Sequence, residues 1–126
     1  HSITVCRYAR GLSKMETRWG TFTDPWTHQP QPRCGFVLVG SDGTIASDDY
    51  ADHLMVQTRA RPEAHPVPAE PLPAGETNGI EYVLGRIAKG LKVEGPLDPA
   101  LCLTAQRIVD TAARSAREKR TLALLP

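Results

Sequence analysis

Three glycines sit close together behind an apolar run in GFVLVGSDGTI, at Gly35, Gly40 and Gly43. Glycines after a strand are where many chains cradle a phosphate. That chemistry needs the glycines to open a helix, whose first amides hold the anion. Here the residues that follow, TIASDDYADHLMVQT, break any helical stripe at Asp48, Asp49 and Tyr50 and return to a strand-like run. The spacing fits neither G-x-G-x-x-G nor the Walker pattern. Asp42-Gly43 between apolar runs instead predicts a hairpin turn, because glycine takes positive φ at no steric cost.

Other residue types capable of chemistry are scattered. Asp48 and Asp49 are adjacent carboxylates, and neighbours in extended chain point apart, which predicts a turn rather than an acid/base pair. His28 and Cys34 lie six apart with no second pair to complete a metal site, so no metal is expected. His53 and His65 have no companion base or ligand and read as surface residues. Cys6, Cys34 and Cys102 are odd in number and dispersed, which argues for a reducing compartment such as the cytoplasm and against a disulfide framework.

The elements that must position these residues change type along the chain. ITVCRYARGLSKMETRWGTF reads as two strands broken at ARG. In the second, Met15, Thr17, Trp19 and Thr21 alternate with Lys14, Glu16 and Arg18. After the polar loop TDPWTHQPQP, the run CGFVLVG is apolar at successive positions, the pattern of a strand covered on both faces. Residues 59–76 carry five prolines and read as a polyproline-like surface crossover within one domain, 1–126. Asn78 with Glu81 forms a capping box ahead of the stripe Ile80, Val83, Leu84, Ile87 and Leu91, and Gly90 can stop that helix. Asp98 and Pro99 start a second helix as N-cap and first turn. Its apolar face is Leu101, Ala105, Ile108, Val109, Ala112 and Ala116, opposite Arg107, Asp110, Arg114 and Glu118. The order predicts an α+β fold: a mostly antiparallel, open-faced sheet with two C-terminal helices packed on one face.

Composition narrows the partners. With 15 Lys and Arg against 14 Asp and Glu, net charge is +1, which gives no basic footprint for nucleic acid. No apolar run reaches the ~20 residues that span a bilayer, so no membrane partner is expected. If helices cover one sheet face, Phe36, Val37, Leu38 and Val39 still present apolar side chains on the other. An open apolar face of that kind marks a partner surface.

Taken together, YARGLSKMETRWGTF, GFVLVGSDGTI and the long C-terminal run from IEYVLGRIAKG through EGPLDPA to RIVDTAARSA resemble the C-terminal domain of the Gfo/Idh/MocA oxidoreductases. That family includes glucose–fructose oxidoreductase and the inositol dehydrogenases. The resemblance implies a longer parent enzyme, with an N-terminal Rossmann domain that binds NAD or NADP and a Glu-Lys-Pro motif supplying the catalytic lysine. Neither motif occurs in these 126 residues. Glu118-Lys119-Arg120 matches only superficially and reads as the charged end of a helix. The chain by itself is therefore expected to bind no cofactor and to hold no catalytic residue. The resemblance further implies self-association through the open sheet face into dimers or tetramers, and that the loop before GFVLVG lines a sugar or polyol pocket, through Trp26, His28, Gln29, Gln31 and Arg33. Pro30 or Pro32 falls where some relatives place a pocket tyrosine, a departure that bears on the substrate. The competing expectation is a non-catalytic dimerisation or interaction module.

Overall fold

The computed structural model describes residues 1–18, 20, 27, 28, 31 and 33–124. The fold is α+β, with antiparallel strands first and helices last. The chain divides into two compact units, His1–Pro71 and Leu72–Pro126.

In the first unit, β1 (Ser2–Tyr8) and β2 (Gly11–Thr17) form a hairpin that turns at Ala9-Arg10. Its register sets Ile3 opposite Glu16 and Val5 opposite Lys14, so polar and apolar residues share each face. The alternation within β2 alone therefore does not extend to the pair, and Trp19 and Thr21 lie outside the described residues. Cross-strand polar contacts supply what apolar pairing does not. Ser2 and Thr17 hydroxyls meet at 2.6 Å, and the His1 ring lies 3.1 Å from the Glu16 carboxylate.

Four further strands make a separate sheet in the order β3 (Gly35–Val39), β4 (Gly43–Asp48), β5 (His53–Thr58) and β6 (His65–Pro68). The expected single sheet is thus two, because no ladder among the described residues joins β2 to β3. β6 also corrects the reading of the proline-rich stretch, part of which is an edge strand. Ala69 N–H donates to Asp52 O at 2.9 Å, which fixes the parity: His65, Val67 and Ala69 point their amides toward β5. Pro66 and Pro68 fall at the outward positions, where a missing N–H costs the ladder nothing.

The hairpin between β3 and β4 turns one residue earlier than Asp42-Gly43 predicts. Gly40 N–H donates to Gly43 O at 2.9 Å, so the two corner residues are Ser41 and Asp42, neither with positive φ. Arg59 secures the corner, with its amide 2.9 Å from Asp42 O and its guanidinium 3.2 Å from Ser41 O. Gly43 is spent on another constraint: a Cβ there would lie 2.4 Å from the Gln57 carbonyl oxygen of β5. Gly35 answers the same demand against β4, with φ +154 and a Cβ position 2.1 Å from Ser47 O.

In the second unit, α1 spans Gly79–Ala88, and the Asn78 side chain accepts from the Glu81 amide at 2.8 Å. Gly90, at φ +63, ends it: Gly90 N–H reaches Ile87 O and Leu91 N–H reaches Arg86 O, which closes two orphan carbonyls. Arg86 then folds the connector back. Its guanidinium donates to Lys92 O at 2.5 Å and to the Glu94 carboxylate at 2.7 Å, and lies over the Tyr82 ring. A single 3-10 turn, Gly95–Leu97, leads into α2 (Pro99–Glu118), whose N-cap Asp98 accepts from Ala100 N–H at 2.7 Å. Helix α2 stops at Lys119 in the left-handed region, where Glu118 holds both Arg114 and Arg120. Those two cations keep the Glu118 carboxyl below the usual glutamate range, the Arg114 bond foremost.

No hydrophobic side chain among the described residues is buried, and Thr111 of α2 is the one residue that reaches burial. The covered stripe of α2 runs through Ile108, Thr111, Ala112 and Ser115, while Leu101 and Val109 of its expected apolar face stay exposed.

The close approach at Gly43 sets a test. Gly43→Ala is expected to cost about 1–3 kcal/mol, the range for forced overpacking. Gly40→Ala, whose Cβ would meet its nearest neighbour at 3.6 Å, should cost far less. Thermal unfolding of the two variants followed by circular dichroism makes the comparison; equal melting temperatures would remove the β4–β5 constraint.

Candidate functional site

The polar loop enters the four-stranded sheet at the end where β3 begins and β4 finishes. Cys34 O accepts from Asp49 N–H at 2.8 Å, extending the ladder past Gly35–Asp48. That junction sets Arg33 beside Asp48, Nη1 to Oδ2 3.8 Å. The chain reverses between β4 and β5 in a tight turn closed by Ala51 N–H to Asp48 O at 3.2 Å, with Tyr50 at φ 64. A positive φ on a bulky aromatic costs about 1 kcal/mol or more and is uncommon outside special turns.

The pairing of Ala46 with Met55, carried along the strands, sets Asp48 opposite His53 on one face of the sheet. His53 Nδ1 lies 2.7 Å from Asp52 Oδ1. The hydrogen bond from His53, with the Asp52 backbone bond and the charge of His53 adding to it, holds the Asp52 carboxyl below the usual aspartate range. The sheet end thus gathers Arg33, Asp48, Asp52 and His53, all exposed, around one turn. Two cation-capable groups alternating with two carboxylates can donate to and accept from a hydroxyl-rich molecule.

Of the three loop residues tied to substrate by resemblance that are described, His28, Gln31 and Arg33, the last is brought to this cluster. His28 is exposed and its ring nitrogen lies 3.2 Å from the Thr27 hydroxyl. Gln31 is exposed as well, and Trp26 and Gln29 lie outside the described residues. Of the other members, Asp48 and His53 read along the chain as a turn and a surface residue, and Asp52 gives no signal there. The signal that could find them is the β4–β5 register, since a turn of four residues brings the strand ends together. Glu118 and Lys119, by contrast, serve the end of α2 and face no cluster of this kind.

The four apolar residues picked as an interface divide between two faces. Phe36 and Leu38 share one with Ile45, Leu54, Val56 and Val67, while Val37 and Val39 share the other with Ala46 and Met55. All four are 62–79% exposed, because β3 is an edge strand. The expectation of a strand covered on both faces is therefore corrected: apolar residues in succession here mark an uncovered edge.

Two shallow grooves occur within the units. One, about 850 Å³, is lined by Asn78, Gly79, Ile80, Val83, Leu84 and Leu97; the other, about 500 Å³, lies over the β3–β4 turn and the adjoining part of β5. Neither contains the Arg33–Asp48–His53 cluster. Among the described residues no group of His, Cys, Asp and Glu is arranged to hold a metal ion, and no helix is long and apolar enough to cross a membrane. The glycines after β3 lead into β4, not into a helix. Comparison with protein-family models, with curated proteins and with solved structures gives no match.

The Asp52–His53 contact predicts a titration. A carboxyl whose folded pKa is depressed contributes stability above its unfolded pKa, and that contribution is lost as pH falls through the folded value. Carbon-13 NMR of the Asp52 carboxyl should show a midpoint below that of a free aspartate. In His53→Ala the midpoint should rise toward the ordinary range, the Asp52 backbone bond remaining; an unchanged midpoint would mean His53 is not its cause.

Proposed function

We propose that this chain is the substrate-side and oligomerising domain of an NAD(P)-dependent sugar or polyol oxidoreductase. In this reading the nicotinamide, NAD or NADP, and the catalytic lysine belong to a separate Rossmann domain. Residues 1–126 hold no cofactor and are inactive alone. The observation that carries the reading is the four-stranded antiparallel sheet with uncovered apolar faces, followed by two capped helices. A catalytic unit complete in itself encloses its reacting atoms, whereas an oligomerising domain presents apolar surface for another chain to cover. Arg33, Asp48 and His53 at the sheet end offer the alternating donors and acceptors that a row of hydroxyls requires.

The chemistry assigned to the parent enzyme is hydride transfer between the nicotinamide and a carbon bearing a hydroxyl. This domain's share is to orient the polyol, and the dispersed cysteines fit a cytoplasmic setting. A second reading, a non-catalytic dimerisation module, draws on the exposure of Arg33, Asp48 and His53 at the sheet end.

Calorimetric titration with NAD(H) and NADP(H) is expected to give no heat, and micromolar binding would overturn the division of labour. Titration with myo-inositol or glucose, followed by amide shifts, separates the two readings. Saturable shifts confined to Arg33, Asp48 and His53 support the substrate-side domain; unmoved spectra at saturating sugar leave the dimerisation module.

A further inference from the structure

We infer that β3 pairs edge to edge with β3 of a second copy of this chain, across a two-fold axis at Val37, joining two four-stranded sheets into one of eight strands. This concerns the edge of the sheet rather than its face, and it stands on the geometry of β3 whatever chemistry the parent performs.

The two edges of the sheet are built differently. A free edge strand offers a row of unpaired N–H and C=O groups, and chains that must stay apart blunt it with proline, charge or a bulge. β6 is blunted, with Pro66 and Pro68 at the outward positions. β3, Gly35-Phe36-Val37-Leu38-Val39, carries no proline and no charge. Its parity follows from Cys34 O to Asp49 N–H at one end and Gly40 N–H to Gly43 O at the other. Even-numbered residues therefore bond β4, and Gly35, Val37 and Val39 direct their N–H and C=O outward. None of the three enters a backbone bond outside the ladder among the described residues.

These outward groups are complementary to themselves. In an antiparallel pair centred on Val37, Val37 exchanges both bonds with the second copy's Val37. Gly35 does the same with the second copy's Val39, and Val39 with its Gly35. Every outward donor and acceptor of the strand is then used. Side chains agree as well: Phe36 falls opposite the second copy's Leu38 on one face, and Val37 meets Val37 on the other. Aromatic–aliphatic and β-branched pairs of this kind are the favourable ones.

The composition and edges of the described strands make the occupant a second copy. The partner strand must have a free edge and be apolar on both faces over five residues. Among the described strands, β1 carries Thr4 and Arg7, β2 carries Lys14 and Glu16, and β6 carries its prolines. β4 and β5 have no free edge. β3 alone meets the requirement. Pairing it with itself also closes the assembly, since both outer edges of the eight-stranded sheet become proline-blunted β6. A closed two-fold dimer stops there, where a head-to-tail contact would continue to grow.

The test is sedimentation equilibrium of the chain with hydrogen exchange read at single amides. Expected are a dimer, protection of the Val37 and Val39 amides, and protection of Leu38 through β4. Val37→Lys places like charges at the axis, and Val37→Pro removes an outward donor at a position the fold tolerates in β6. Each should raise the dimer dissociation constant by about a hundredfold or more and expose Val39, with Leu38 still protected as proof that the sheet persists. A monomer at millimolar concentration with rapidly exchanging Val37 overturns the proposal. So does a dimer that survives both substitutions, which would assign association to the sheet face.

Discussion

Uncovered apolar surface is the condition on which everything else in this chain depends. Ordering a residue costs roughly 1–2 kcal/mol of backbone entropy. A hydrogen bond exchanged from water returns a net of only about 0.5–1.5 kcal/mol. The difference is normally made up by apolar burial, at roughly 25 cal/mol per Å². Here the ladders and helix caps are well formed, yet no described hydrophobic side chain is buried. Phe36, Leu38 and Ile45 on the sheet, and Ile80, Leu84 and Ile87 on α1, hold their share of the driving force in reserve. Elements so complete in backbone bonding are here open in side-chain contact.

What was legible in the sequence was what local physics decides. Asn78 and Asp98 accept from amides two or three residues on, and Gly90 supplies the left-handed residue that ends α1. Each involves atoms within one turn of chain, so residue type and spacing suffice to read it. The hairpin around Gly40–Gly43 was legible as a hairpin and displaced by one residue in detail. Gly43 answers β5 instead of the turn, since a side chain there would run into the Gln57 carbonyl. A glycine demanded by a neighbouring strand looks, in sequence, the same as a glycine demanded by a turn.

Long-range pairing explains the remaining differences. Five prolines between 59 and 76 signal extended chain, which is correct for His65–Pro68, but the spacing of two between Pro66 and Pro68 is what an edge strand permits. Only the partner strand reveals that Pro66 and Pro68 face outward. The successive apolar residues of β3 are ambiguous in the same way, since burial on both faces and exposure at a pairing edge write one pattern. The candidate site was half legible. Arg33 belongs to a loop whose polar character stands out, whereas Asp48 and His53 join it through a register that no single segment contains.

The glycines, the prolines and the apolar run therefore belong to one arrangement. Gly35 lets β3 approach β4 closely and Gly43 does the same for β4 and β5, with β3 at one margin of the sheet. Pro66 and Pro68 forbid pairing at the opposite margin. A sheet with one closed edge and one open edge has a direction in which it can be extended, and that direction is away from β6. The polar cluster of Arg33, Asp48 and His53 lies where β3 begins, at the open side's end. Whatever covers β3 would therefore pass close to those charged groups, so in the proposed reading association and polyol recognition would draw on neighbouring surface. Arg33 is placed at that junction, held by Asp48 from within the sheet and open to solvent on its other side.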